Sequence, residues 1–287
     1  VAPDGIFVWS RFQNNIPKGA AEIHVETGLL NLRTNVANAT VICEVISPDG
    51  KRVARFKGAE TVKQLAEKTV KLEGKVSSPV LWSPESPKLY KLITTVESEG
   101  KMVDREETGF GIRTVAFNPN DGFLLNGKHY EIKGTCNHQD AAGVGEAVPD
   151  ALQYFRIRKL KEMGCNAYRT SHNAPAPELL EACDRLGMLV LDENRLFGSD
   201  AQNLARFKGQ ILRDRNHPCV FAWSLGNEEW SAQDTATGAA VTRAMQDLAH
   251  SLDPTRLCTM AVNSGAYGDF GIFSALDVKG FNYHFES

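Results

Sequence analysis

Beyond residue 122 the chain repeats one pattern: a short, almost unbroken apolar run, a polar cluster, then a stretch with apolar residues every three or four positions. "CNAYRTSH", "MLVLDEN" and "CVFAWSLGNE" are such runs, and "PDALQYFRIRKLKEMG", "PAPELLEACDRLG" and "SDAQNLARFKGQILRDRNHP" are the helical stretches among them. Alternating strands and helices need crossover connections and so build a parallel sheet, whose strands stay apolar because helices cover one face and a core fills the other. The spacing predicts that Leu152, Phe155, Leu160 and Met163 share one helical face, with Gly164 as cap; the next helix turns Leu179, Cys183 and Leu186 inward and ends at Gly187. A fourth helix carries Val241, Met245, Leu248 and Leu252 and stops before Pro254. With "HYEIKGTCN" ahead of them and "LCTMAVN" and "DVKGFNYH" behind, the strands number six.

Two architectures use such a sheet. A doubly wound nucleotide-binding fold needs a glycine-rich phosphate loop after its first strand, and "KGTCNHQD" is not G-x-G-x-x-G. Polar residues instead follow strand after strand: His138, Arg169 to His172, Asp192 to Asn194, and Asn227 to Glu229. That distribution predicts a (β/α)₈ TIM barrel with its chemistry at the C-terminal face. Eight strands close such a barrel, so the expectation is a barrel that continues past Ser287.

Residues 1 to about 115 follow another rule. "AEIHVETGLLNLRTNV", "TVICEVISPDGKRVARF" and "KLYKLITTVESEGKMVDREETGFG" alternate in and out, with Asp49-Gly50 and Glu99-Gly100 as tight turns. "ETVKQLAEKTVKL" also fits a short helix, but its Val62, Leu65, Val70 and Leu72 suit extended structure. The prediction is an immunoglobulin-like β-sandwich over residues 1–117 and the barrel over 118–287, joined at Asn118-Pro119-Asn120-Asp121-Gly122.

A net charge of −3 argues against nucleic acid or an anionic membrane as partner, and no apolar stretch reaches membrane-spanning length. The six cysteines form no C-x-x-C pair and sit mainly in apolar segments, which predicts buried free thiols and no zinc. No metal or other cofactor is expected. Cytoplasmic, periplasmic and secreted addresses all fit.

Glu228 stands just past the fourth apolar strand, where a side chain overlooks a barrel mouth. Glycosidic cleavage needs one carboxylic acid to protonate the leaving oxygen and a second carboxylate to attack or to activate water. Asn227 beside it suits a hydroxyl contact, though an arbitrary Asn-Glu pair is usually only a polar cap. His138, His172 and Arg169 follow the first two strands and suit hydroxyl recognition; Arg169 could equally pair with Asp192 or Glu193. Tyr283 could orient an attacking carboxylate or serve as a core aromatic. Trp223 reads as core, while Trp230 could stack on a sugar ring or pack against a loop.

"GFGIRTVAFNPNDGFLLNGKHYEIKGTCNHQD", "GCNAYRTSHN", "LLEACDRLGMLVLDEN" and "RDRNHPCVFAWSLGNE" resemble, in order, the signatures of glycoside hydrolase family 2, the β-galactosidases, β-glucuronidases and β-mannosidases. "VLWSPESPKLYKL" resembles the end of that family's immunoglobulin-like domain. The resemblance implies a retaining exo-acting β-glycosidase, most similar to β-galactosidases, with a β-linked glycoside as substrate. It places Glu228 as acid/base, Asn227, His138, Arg169 and His172 in the sugar site, and Tyr283 near the nucleophile. The nucleophilic Glu is expected beyond Ser287, Glu286 being too close to the sixth strand, and a jelly-roll domain is expected ahead of Val1. "DENRLFGSD" departs from the magnesium-holding stretch of some relatives, so magnesium is not carried over. A non-catalytic carbohydrate-binding or scaffold protein of the same fold is one alternative, and a β-glucuronidase or β-mannosidase specificity is another. The uncovered sides of strands one and six make self-association an expectation.

Overall fold

The computed structural model describes residues 1–263 and 270–283, which fall into two compact units. One is Val1–Tyr130 with Asn216–Pro218; the other is Glu131–Arg215 with Cys219–Ser287.

In the first unit, β1 (Ile6–Arg11), β2 (Ala21–Asn31) and β5 (Ala66–Val76) form one antiparallel sheet. The other sheet runs in the order β4 (Arg52–Val62), β3 (Ala37–Ile46), β6 (Tyr90–Ser98), β7 (Lys101–Phe110). Along β2 the buried residues are Ala21, Ile23, Val25, Thr27, Leu29 and Asn31, a two-residue period that puts one face inward. Ala21, Ile23, Val25 and Leu29 meet Val41, Cys43 and Val45 of β3 and Tyr90, Leu92 and Val96 of β6 in a single core. This is an immunoglobulin-like sandwich. The segment that also fitted a helix is the strand-to-strand link from β4 to β5, turning at Leu65, which holds a positive φ of 49°. Glu99 and Gly100 take φ of 53° and 72°, the double left-handed geometry of a two-residue hairpin turn. The turn at 118–122 joins β8 (Val115–Asn118) to β9 (Gly122–Leu125), and β10 (Lys128–His129) completes this small antiparallel meander.

The second unit alternates strand and helix: β11 (Gly134–Asn137), α1 (Asp150–Glu162), β12 (Ala167–Thr170), α2 (Pro177–Leu186), β13 (Leu189–Glu193), α3 (Ala201–Asp214), β14 (Val220–Asn227), α4 (Ala236–Leu252), β15 (Leu257–Val262) and β16 (Val278–Phe281). All six strands pair in parallel with their sequence neighbours, the arrangement of part of a TIM barrel. Helix ends follow the chemistry of their boundary residues. Gly187 closes α2 at φ 77°, Asp200 accepts from the Gln202 and Asn203 amides at the start of α3, and the Thr235 hydroxyl accepts from Gly238 at the start of α4.

Two expectations fail at the edge of this sheet. The buried stripe of α1 is Gln153, Ile157 and Leu160, while Phe155 and Met163 lie exposed. β11 pairs on one side only among the described residues, so just the i, i+4, i+7 face that meets the sheet is covered. For the same reason Cys136, on β11, is exposed, and Cys165 is only partly covered; Cys43, Cys183, Cys219 and Cys258 are buried.

Candidate active site

The parallel strands all end on one rim, and the polar residues there form a continuous network. Strand β13 supplies its centre. Successive strand residues point to opposite faces, so Asp192 and Glu193 part company. Asp192 faces α3, where the Gln210 amide donates to it at 2.7 Å, and Glu193 turns to the other side. Glu193 is fully buried, yet three donors reach it: Arg169 Nε at 2.7 Å and the Ser224 hydroxyl at 2.8 Å on one oxygen, His172 Nδ1 at 2.6 Å on the other. Arg169 therefore pairs with Glu193 and not with Asp192. Burial works against the Arg169 charge, but the Glu193 carboxylate outweighs it and raises the guanidinium above its ordinary value.

Because Nδ1 of His172 donates to Glu193, its Nε2 is left as the acceptor in the neutral ring. His138, exposed after β11, meets that ring edge-on with centroids 5.2 Å apart. The Arg156 guanidinium anchors the His138 carbonyl at 3.0 Å. Arg169 also reaches sideways, its Nη2 donating to Asn227 Oδ1 at 2.6 Å. Asn227 is the last residue of β14, and Asn282, after β16, donates to the same oxygen at 3.4 Å.

Glu228 follows in the left-handed region at φ 54°, which costs a residue with a Cβ of order 1 kcal/mol or more. Its amide is held by the Ala261 carbonyl of β15 at 2.9 Å, so neighbouring strand ends fix the turn. The carboxylate accepts from Asn263 Nδ2 at 2.9 Å on Oε2 and from Asn282 Nδ2 on Oε1. Tyr283 hydrogen-bonds to Glu228, and that bond, with the carboxylate charge, raises the phenol above its ordinary value. Glu229 next door is also raised, by burial, with Arg195 partly opposing.

Glu228, Asn227, Arg169, His172, His138 and Tyr283 thus share one rim, linked directly or through one side chain. Trp223 is buried, its indole donating to Asp253 at 3.0 Å. Trp230 is 80% exposed. Glu286 lies outside the described residues. Sequence reasoning left Ser224, Asn263 and Asn282 out of the site and weighed Glu193 only as a partner. Asn263 and Asn282 obey the rule that exposed Glu228, since each is the polar residue after an apolar strand.

Two family descriptions match the chain: Glycosyl hydrolases family 2 over residues 4–113, and Glycosyl hydrolases family 2, TIM barrel domain, over 119–206 and 198–278. The chain belongs to glycosyl hydrolases family 2. Within the family it is 33% identical to the β-galactosidase BoGH2A of Bacteroides ovatus, an alignment covering 94% of this chain and 37% of that protein. A solved family 2 member from Bacteroides cellulosilyticus is similar over 98% of this chain and 37% of its own, with TM-score 0.90 and 34% identity. A β-glucuronidase of Bacteroides uniformis is similar over 97% and 36%, with TM-score 0.85 and 27% identity. The chain therefore spans little more than a third of the length of these relatives.

Proposed function

We propose that this rim is the acid/base side of a retaining, exo-acting β-glycosidase site, with β-galactosidase specificity. The carrying observation is the placement of Glu228: at the C-terminal end of a parallel strand, backbone-strained, its carboxylate held by two amides and a phenol. In this reading Glu228 gives its proton to the glycosidic oxygen as the C1–O bond breaks, while a second carboxylate, outside the described residues, bonds to C1. Water then attacks C1, Glu228 takes the water's proton, and the enzyme carboxylate leaves. Asn227, Arg169, His172 and His138 line the sugar hydroxyls, and Tyr283 steadies Glu228.

Relatives bear both β-galactosidase and β-glucuronidase names, and one feature favours a neutral sugar. A uronic acid needs a cation for its carboxylate; Arg169 is committed to buried Glu193, so the neutral-sugar reading requires that Arg195, whose charge reaches Glu229, does not take that part. The non-catalytic alternative makes a different prediction. In the full gene product, Glu228→Ala lowers turnover of an alkyl galactoside by about 10²- to 10⁴-fold, the usual yield of general acid–base catalysis. A dinitrophenyl galactoside, whose leaving group needs no proton, forms the glycosyl-enzyme at nearly the parent rate. Unchanged turnover of the alkyl galactoside refutes the assignment.

A further inference from the structure

Gln233 lies in the loop between β14 and α4 and is almost wholly buried. Both atoms of its side-chain amide bond to Asn263. Its Oε1 accepts from the Asn263 backbone amide at 3.1 Å, and its Nε2 donates to Asn263 Oδ1 at 3.0 Å. A backbone N–H can only donate, so it forces the Gln233 oxygen toward itself and the Gln233 nitrogen toward the Asn263 side chain. Asn263 must then present its oxygen to Gln233, which turns its Nδ2 onto Glu228 Oε2 at 2.9 Å. Without Gln233 the protonated Glu228, whose hydroxyl donates and whose carbonyl accepts, could meet either end of the Asn263 amide.

The loop is built to hold Gln233 still. Its amide bonds to the Glu229 carbonyl and its carbonyl accepts from Ile272, each at 2.9 Å. Gly271 passes so close that a Cβ there would stand 2.0 Å from the Gln233 carbonyl oxygen, and its φ of 55° suits glycine.

We propose that Gln233 is a positioning residue for acid/base catalysis: through Asn263 it sets the plane of the Glu228 carboxyl and so the direction in which the proton is passed. This rests on Glu228 being the acid/base. Gln233 touches no substrate; it acts through the orientation of one amide. The relay differs from a merely structural bond because its loss should be felt in proportion to the proton the leaving group requires.

The test uses Gln233→Met, which keeps the length and removes both polar atoms, and Asn263→Ala, which removes the second link at a partly exposed position and needs no core rearrangement. Each is assayed in the full gene product across aryl and alkyl galactosides of graded leaving-group acidity, together with Glu228→Ala. The expectation for each single variant is a loss of about 10- to 100-fold in kcat/KM on the alkyl galactoside, a fraction of what a whole acid catalyst supplies. On the dinitrophenyl galactoside the loss stays within about threefold. The double variant loses no more than either single one, because residues acting in one chain are not additive. Equal loss across all leaving groups, additive losses, or no loss in Asn263→Ala would each overturn the relay. If Glu228→Ala itself shows no dependence on leaving group, the parent reading fails; if it does and the relay variants do not, only the relay fails.

Discussion

Glycine to alanine in a helix ordinarily stabilises, by about 1 kcal/mol, because alanine loses less backbone freedom on folding. Two helical glycines of the barrel unit should respond with opposite signs. Gly209 lies exposed within α3, and a Cβ there meets nothing within 4 Å. Gly209→Ala should therefore gain about 0.5–1 kcal/mol. Gly238 lies in the first turn of α4, and its Cβ would stand 2.0 Å from the Ala232 carbonyl oxygen and 2.8 Å from the Ala232 carbonyl carbon. An ordinary carbon–oxygen contact is about 3.3–3.6 Å, so something must move by more than an ångström.

Neither side yields easily. The Ala232 oxygen accepts from the Thr235 amide at 3.1 Å and its hydroxyl at 3.0 Å, and the Gly238 amide donates to that same hydroxyl at 2.9 Å. Overpacking of this kind costs about 1–3 kcal/mol, which outweighs the propensity gain. Gly238→Ala should lose about 1–2 kcal/mol net, from the upper part of that range. For a body of this size that is about 2–4 °C per kcal/mol in thermal midpoint, measured by calorimetry on both variants in parallel. Ala232 directly precedes Gln233, so the same variant should also slow alkyl galactoside turnover while Gly209→Ala leaves it alone. A stabilised Gly238→Ala, rising alongside Gly209→Ala, would falsify the packing argument.

Glu193→Ala should cost about 3–5 kcal/mol, because it strands the Arg169 guanidinium in a site that is only 14% exposed; urea unfolding measures it, and a loss under about 1 kcal/mol contradicts a buried ion pair. Asp192→Asn tests the opposite face of the same strand. Burial, then the charge of Asp214, pushes the Asp192 carboxyl well above the usual range, and its Oδ2 finds no donor unless a proton is shared with Asp214. A carboxyl raised by folding contributes stability that is complete below its unfolded value near 3.8 and is lost as pH rises through the folded value. Asn, which brings a permanent donor, should be near-neutral at pH about 4 and flatten the decline at higher pH; thermal midpoints that fall in parallel with the parent from acid to alkaline pH count against it.

Much of this architecture was legible because period and punctuation agreed. β2 alternates cleanly, β14 is apolar up to Gly226 but for Ser224, and Gly187 and Asp200 sit where helix ends need them. What escaped was information that depends on a neighbour. The partner of Arg169 was an open choice between Asp192 and Glu193, since a two-residue period separates their faces without saying which face looks inward. α1 was recognised as a helix, but its buried stripe runs through Ile157 and not Phe155, because an edge strand covers only part of a helix. Gln233 left no local trace at all. It follows no strand, and its importance lies in two hydrogen bonds to a residue thirty positions away.

The rim residues do more than decorate one end of the sheet: they stitch it. From His172 to Glu193, Arg169, Asn227, Asn282, Glu228 and Asn263, each side chain is bound to one from a different strand end, so the seam runs crosswise to the sheet. Neighbouring strands cannot drift apart at that end without tearing it, and a sugar bound across it would be one more stitch. Occupancy should then slow amide hydrogen exchange along strand termini that the ligand never touches, which makes the grip on substrate and the cohesion of the sheet a single thermodynamic quantity.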